Sequence, residues 1–477
     1  MKAEYSQGAQ AMGRETITRL LFKFSTPSII ANLVSASYNV IDSIFIGRLG
    51  AASLAAVSIA NPMMFIYNAI GMGTGVGASS LIGRYLGAKK YEEANRVVGV
   101  AISSFFILGG IATAIFLLSL DRLLRLFGAD ETVLPLAKSY MYVETAFIVV
   151  NFLHLTLCEI VRGEGRPVVA SAAMITAGVG NCIWDPILGY GIGPFPRMGM
   201  AGFALATSIG RGMGIAILLY HFARNSSFKF TPGCFVPDLQ VVKDIYRVGG
   251  ATMVRMAGGS FSHILANLEA ARFGVIPVAV LGIIFKVSSF AGQPCMGIAQ
   301  GMLPLVAYNY GARQIQRISE IVMKSIIAAF SWAAFCWALA LLFPMQICSI
   351  FNTDPQFLAQ GSQGLRIFCL AFLTVGVQMV MSYFFQGIGK GKPSLVLGAA
   401  RQIIFLIPCL LIMPPLFGLA GLWLAFATAD ILALICSLLW TWSEFRELGI
   451  PLNWRRSQKA PTVMSLVERP VKDDPKS

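Results

Sequence analysis

The chain's 477 residues are 56% hydrophobic and only 13% charged, where an ordinary soluble domain carries roughly 25% charged residues. So little charge excludes a water-soluble globular protein, and the mean hydropathy of +0.70 agrees. The formal net charge of +14 does not indicate nucleic acid, because the Lys and Arg residues sit in short clusters between apolar segments, never on a basic helix with interleaved aromatics.

In chain order, residues 1–23 hold Lys2, Glu4, Arg14, Glu15 and Arg19 and no compact apolar region before a small-residue cleavage site. They are expected to form a cytoplasmic segment rather than a cleaved leader. Apolar spans follow near 24–46, 52–82, 97–120, 136–161, 168–192 and 199–222, then near 245–271, 276–307, 321–343, 362–387, 393–416 and 419–442. Each approaches or exceeds the roughly 20 residues that cross a hydrocarbon core. A polar, Pro-containing linker over 224–244 separates the lobes 24–223 and 245–444, and 445–477 reads as a disordered cytoplasmic tail. Nine Cys lie scattered, mostly in apolar segments, without a CxxC or metal-ligand spacing, and read as small core residues.

Positive charge in short loops resists translocation. Arg84, Lys89, Lys90 and Arg96 follow span two, Arg162 and Arg166 span four, Arg313 and Arg317 span eight, and Lys390 and Lys392 span ten. The opposite loops carry single arginines and a mixed stretch, Asp121 to Glu131. Both termini are therefore expected on the cytoplasmic side.

The two halves repeat. Arg48 and Arg272, Gly50 and Gly274, Gly73 and Gly297, Gly77 and Gly301, and Gly87 and Gly311 are all separated by the same 224 positions. Gly199-Met-Ala-Gly202 later matches Gly418-Leu-Ala-Gly421. A unit with an even number of spans begins both copies on one side, so the repeats are parallel. The expected fold is an all-α integral membrane protein of about twelve transmembrane helices, in two six-helix bundles related by a pseudo-twofold axis along the membrane normal. Two such bundles enclose a cleft that rocking can open to either side.

The glycines of spans two and eight make small-xxx-small spacings suited to close helix packing. Gly387-Ile-Gly-Lys-Gly-Lys-Pro393 follows no strand and lacks the Ser or Thr of a phosphate loop, and His154, His221 and His263 match no zinc spacing. No nucleotide or metalloprotease site follows, and no enzymatic constellation is found.

A charge inside the membrane costs at least about 2.5 kcal/mol and usually marks an ion path or an internal pair. Asp42 lies one turn before the outer end of span one, and Asp185 about 17 residues into span five, roughly 25 Å from its start at 1.5 Å per residue. Asn181 shares the Asp185 face one turn away, and Thr207 reaches a similar depth in span six. Two carboxylates at one site hold a proton between them or bind a small hard cation. The alternative is that each is satisfied separately near the interface, Asp42 by Arg48. Pro27 in span one and Pro186 beside Asp185 remove backbone hydrogen bonds and allow bending.

The second half has no equivalent pair, since the repeat carries Asp42 onto Ala266. Lys286 lies deep in span eight, either in a structural ion pair or in a substrate or coupling role. Glu269, Asp430, Arg401, Arg366 and Arg255 are weaker candidates.

With Tyr38-Asn-Val-Ile-Asp42, Gly47-Arg-Leu-Gly50, Asn181-Cys-Ile-Trp-Asp185-Pro186, Gly202-Phe-Ala-Leu-Ala-Thr207, Pro304 and Tyr308-Asn-Tyr-Gly-Ala312, the sequence resembles the MATE family of multidrug and toxic-compound extrusion transporters, especially its prokaryotic DinF-like and MepA-like members. The resemblance covers roughly 20 to 445. It implies a V-shaped antiporter of the bacterial cytoplasmic membrane that expels organic, often cationic or amphipathic compounds as H⁺ or Na⁺ enters. Asp42, Asn181, Asp185 and Thr207 match the family's amino-terminal-lobe cation site and would be the metal ligands if Na⁺ is the coupling ion. Pro27 matches the bending proline of the first helix. Lys286 falls where MepA-like relatives tend to carry a basic residue, and with Tyr38 and Asn39 it is a candidate for the substrate cavity. No cofactor is expected beyond the transported H⁺ or Na⁺. The expected partners are small-molecule substrates and membrane lipid, with the chain a monomer. A lipid-linked precursor flippase of the same superfamily, which would favour a larger and strongly basic cavity, is the nearest alternative.

Overall fold

The computed structural model describes residues 7–228 and 232–449. From residue 450 on, the expected tail lies outside the described residues. Every regular element among the described residues is helical. A short α1 (Gln7–Arg14) precedes α2 (Ile17–Gly47), α3 (Ala51–Gly87) and α4 (Tyr91–Leu126). Span four is broken into α5 (Leu134–Ala146) and α6 (Ile148–Gly163), bent by 54°. The helices α7 (Pro167–Tyr190) and α8 (Met200–Arg224) finish the first lobe.

The second lobe repeats the plan with α9 (Leu239–Ala271), α10 (Val275–Gly311), α11 (Ile315–Leu342), the short α12 (Pro344–Ser349), and a second broken span, α13 (Pro355–Cys369) with α14 (Phe372–Ile388), bent by 43°. It ends with α15 (Gly391–Ala399), a π-helical turn over Ala400–Phe405, and α16 (Leu406–Glu447). Eight of these stretches are long and apolar enough to cross a membrane unaided, and ten with the bent pairs. Gly418, at φ 61° and ψ −144°, divides α16 into two spans. The remaining span is α9, whose Arg255, His263 and Glu269 make it too polar for such a test.

Two helix starts and two bends differ most from expectation. Span one starts at Ile17 rather than near 24, because Ile17, Leu20 and Phe24 are buried on one helical face. Likewise α9 starts at Leu239 rather than near 245, where the Asp238 carboxylate caps it by accepting from the Gln240 and Val241 amides. The bends in spans four and ten carry no proline at the break, and they fall at corresponding positions, Phe147 and Ala371.

The repeat extends to backbone torsions. Lys89 (φ 60°) and Arg313 (φ 56°), the two non-glycine residues with left-handed backbone among those described, are repeat partners. So are Gly199 (φ 57°) and Gly418 (φ 61°), each opening the last span of its lobe, where a side chain would be strained.

Glycines join the lobes. Gly77 of α3 packs on the Ile245 carbonyl of α9, while Gly301 of α10 would place a Cβ 2.8 Å from Phe24 and Ser25 of α2. Where α3 crosses α10, Gly87 abuts the Tyr308 carbonyl and Gly311 the Arg84 carbonyl. Arg84 and Tyr308 are themselves repeat partners, so the pseudo-twofold axis passes through this crossing. Buried hydrogen bonds cross the same seam, from Asn32 Nδ2 to Gln300 Oε1 (3.0 Å) and from Ser80 Oγ to the Gln386 carbonyl (2.5 Å). These contacts lie in the helix halves that end at the Lys and Arg clusters. The opposite halves of α3 and α10 expose Phe65, Val275 and Phe290 instead.

Candidate functional site

The polar cluster of the first lobe is assembled by close helix approach. A Cβ on Gly210 of α8 would sit 2.8 Å from the Asn181 amide nitrogen of α7, so the missing side chain lets Thr207 reach Asn181. Gly178 of α7 likewise admits the ring of Tyr38, whose Cδ1 would be 2.6 Å from a Cβ there, and Asp42 follows one turn later on α2.

Asn181 Nδ2 donates to Asp185 Oδ1 (2.9 Å) and to Thr207 Oγ1 (3.1 Å), and Thr207 donates to the Phe203 carbonyl (3.2 Å). The carboxyl groups of Asp42 and Asp185 lie within hydrogen-bonding reach of each other. Asp185 is fully buried, and Asn181 and Thr207 are 2% and 9% exposed. Three buried acceptors, Asp42 Oδ1, Asn181 Oδ1 and Asp185 Oδ2, receive no hydrogen bond. A cluster of facing oxygens short of donors attracts a proton or a hard cation.

The structure thus brings together Asp42, Asn181, Asp185 and Thr207, with Tyr38 adjoining. Asp42 faces Asp185 and not Arg48, which caps the helix end. Asn39 stays outside the cluster, its Nδ2 donating to the Ser35 carbonyl of its own helix (2.8 Å). Helix α2 runs unbroken through Pro27, and α7 through Pro186. Lys286 is exposed on α10 and has no ion-pair partner among the described residues.

Sequence reading missed a second buried network beside the first. Glu144 of α5 accepts from the Tyr67 hydroxyl (3.2 Å) and Asn151 Nδ2 (3.0 Å) and pairs with Arg211 of α8 (3.9 Å), which also reaches Tyr38. Arg211 is one turn beyond Thr207. The available signal was a Glu and an Arg well inside apolar segments. At the Lys- and Arg-rich end, Glu164 is buried and held by His221 Nε2 (2.9 Å), Ser226 Oγ (2.9 Å) and the Ser227 amide (2.7 Å), and Glu159 pairs with Arg162. In the second lobe Arg401, on the π-helical turn, pairs with Asp430 of α16, whose carbonyl accepts from Gln378 Nε2 (2.8 Å).

The family model MatE matches residues 27–187 and again residues 251–411. The chain belongs to the MATE family. The two matches begin and end 224 positions apart, so the MATE unit coincides with the internal repeat. The chain is similar to the multidrug export protein MepA of Staphylococcus haemolyticus, 27% identical over 411 residues that cover 85% of this chain and 89% of MepA. MepA of Staphylococcus aureus is 26% identical over 436 residues, covering 89% and 94%. A multidrug resistance MATE transporter solved in an outward-facing conformation superposes with a TM-score of 0.88 at 27% identity, covering 94% of this chain and all of the other. This MATE protein is therefore a membrane transporter of the MepA-like branch and not an enzyme, with the family's twelve helices in two lobes.

Proposed function

We propose that this MATE protein is a secondary antiporter that exports small organic compounds, often cationic or amphipathic, as H⁺ or Na⁺ enters through Asp42, Asn181, Asp185 and Thr207. The observation that carries the reading is the pair of facing carboxyls in the first lobe, of which one oxygen each, with the Asn181 amide oxygen, is buried and short of a donor. The MepA relatives, named as multidrug exporters, support the substrate class. The oxygen-only donor set suits a hard cation as cargo, and the carboxyl pair suits a proton.

The proposed cycle follows from the seam. With the lobes joined at the Lys- and Arg-rich ends, the cleft faces the other side of the membrane, the outside if positive charge marks the cytoplasm. An entering cation neutralises Asp42 and Asp185 and draws α2 onto α7. Pro27 and Pro186 leave the Lys23 and Cys182 carbonyls without their helical donors, which gives α7 a soft point beside Asp185 and α2 one about four turns before Asp42. Closure of α2 on α7 shrinks the first-lobe cavity and expels substrate. The chain works as a multi-pass monomer in a bacterial cytoplasmic membrane and needs no cofactor besides its coupling ion.

The test is efflux of a fluorescent organic cation from energised vesicles, with an imposed pH gradient in sodium-free buffer and with a sodium gradient at fixed pH. Asp42→Asn and Asp185→Asn should each lower gradient-driven export on the order of 100-fold. Wild-type export in both variants would place coupling elsewhere.

A further inference from the structure

The second lobe contains a cavity of about 210 Å³ between α9, α14 and α15, with Phe65 of the first lobe at its edge. Its wall carries two guanidinium groups. That of Arg401 is neutralised by Asp430. Arg255 has no such partner among the described residues: it makes one weak hydrogen bond, from Nη2 to the Tyr383 hydroxyl at 3.4 Å, and stands 5.7 Å above the same ring. Its Nε is buried without an acceptor, and so is the Ser382 hydroxyl on the same wall. Glu159, which lies near Tyr383, is already closed by Arg162. The cavity therefore holds one uncompensated positive charge and two buried donors inside a membrane protein, where an unpaired charge is costly.

We propose that this cavity binds the anionic head, carboxylate or phosphate, of an organic molecule with an apolar body. An anion of that kind completes what Arg255 and Ser382 lack, with the charge-assisted geometry that a guanidinium favours. Apolar contacts along Met256, Val375 and Leu397 accommodate the body. The transporter then accepts acidic or zwitterionic compounds in its second lobe, independently of the carboxylates in its first.

The test uses the full chain in phosphatidylcholine nanodiscs and reads equilibrium binding without any gradient. The two probes, 2-naphthoate and 2-naphthamide, share a body and differ in charge. Wild-type protein should bind the carboxylate about tenfold more tightly than the amide. R255Q should erase that preference, S382A should reduce it, and R255K should keep part of it. Equal binding of the two probes to wild-type protein, or a preference unchanged in R255Q, overturns the proposal. If R255Q does not fold, S382A and R255K decide in the same way.

Nanodiscs containing phosphatidylglycerol separate the sources. Competition with naphthoate in wild-type protein but not in R255Q supports the site with lipid as the donor of the anion. Unchanged naphthoate affinity supports it with a soluble one. Because no gradient is applied, failure here is distinguishable from failure of ion coupling at Asp42 and Asp185.

Discussion

In the first-lobe cluster the buried polar atoms left unsatisfied on Asp42, Asn181 and Asp185 are hydrogen-bond acceptors, with one donor, Arg211 Nη1, in the network beside them, whereas on the cavity wall of the second lobe they belong to Arg255 and Ser382 and can donate. The same inversion appears at one pair of repeat positions. The match of Gly199 to Gly418 carries Arg211 onto Asp430, and each is closed by an opposite charge from its own lobe, Glu144 for Arg211 and Arg401 for Asp430. The backbone devices diverged far less: the left-handed residues, the bends and the glycine crossings recur in register. The comparison teaches that the two halves share their mechanics and differ in the sign of what they hold. Rocking needs two bodies with matching seams, and binding needs only one suitable pocket in either body.

The largest stability effect should come from breaking these internal pairs. Asp430→Asn leaves Arg401, whose side chain is 28% exposed, charged and without its partner, at a cost of about 2–3 kcal/mol. Glu144→Gln should cost less, because an amide oxygen still accepts from Tyr67 and Asn151 and the Arg211 contact is longer at 3.9 Å. Unfolding in detergent by heat or denaturant would measure both. The double variant Arg401→Gln with Asp430→Asn should recover most of the loss. Equal losses in the two single variants would break the ranking, and a loss without recovery would make Asp430 more than a partner for Arg401.

The difference between lobes was only half legible in the sequence. Span count, repeat register and the depth of Asp42, Asn181, Asp185 and Thr207 follow from linear spacing, because each helix converts position into depth at a fixed rise. Pairs such as Glu144 with Arg211 depend on which helices become neighbours and how they rotate, and no local pattern records that. The bends at Phe147 and Ala371 have no proline to announce them, so they arise from packing. The same holds for the π-helical turn that carries Arg401. Arg255 was visible as a charge within a span, but only the structure shows that no carboxylate among the described residues pairs with it.

A smaller effect is expected at the seam that the lobes share. Gly77→Val drives a side chain into the Ile245 carbonyl, and Gly301→Val into the backbone at Phe24 and Ser25. Each should destabilise by about 1–3 kcal/mol and slow re-closure of the Lys- and Arg-rich end. Gly282→Ala, with open space around its Cβ, is the control and should change stability little. Melting temperature checks the first effect. Cysteine accessibility across the seam checks the second. If only one of the two valine variants opens the seam, the halves are not mechanically equivalent.

The smallest effect should belong to Lys286. A structural partner would leave a buried carboxylate behind on Lys286→Ala, with the multi-kcal/mol loss that Asp430→Asn is expected to show. The side chain is instead exposed and unpaired among the described residues, so the variant should melt within about 0.5 kcal/mol of the wild type. What remains for the ammonium is long-range, since it sits on the helix half that does not join the seam. Removing it should favour export of cationic over neutral substrates by less than about fivefold, the scale of a charge pair in high dielectric. Competition efflux with a matched cationic and neutral dye would read that ratio. A larger change would place Lys286 in direct contact with substrate, and the second lobe would then meet its cargo at two basic groups rather than at Arg255 alone.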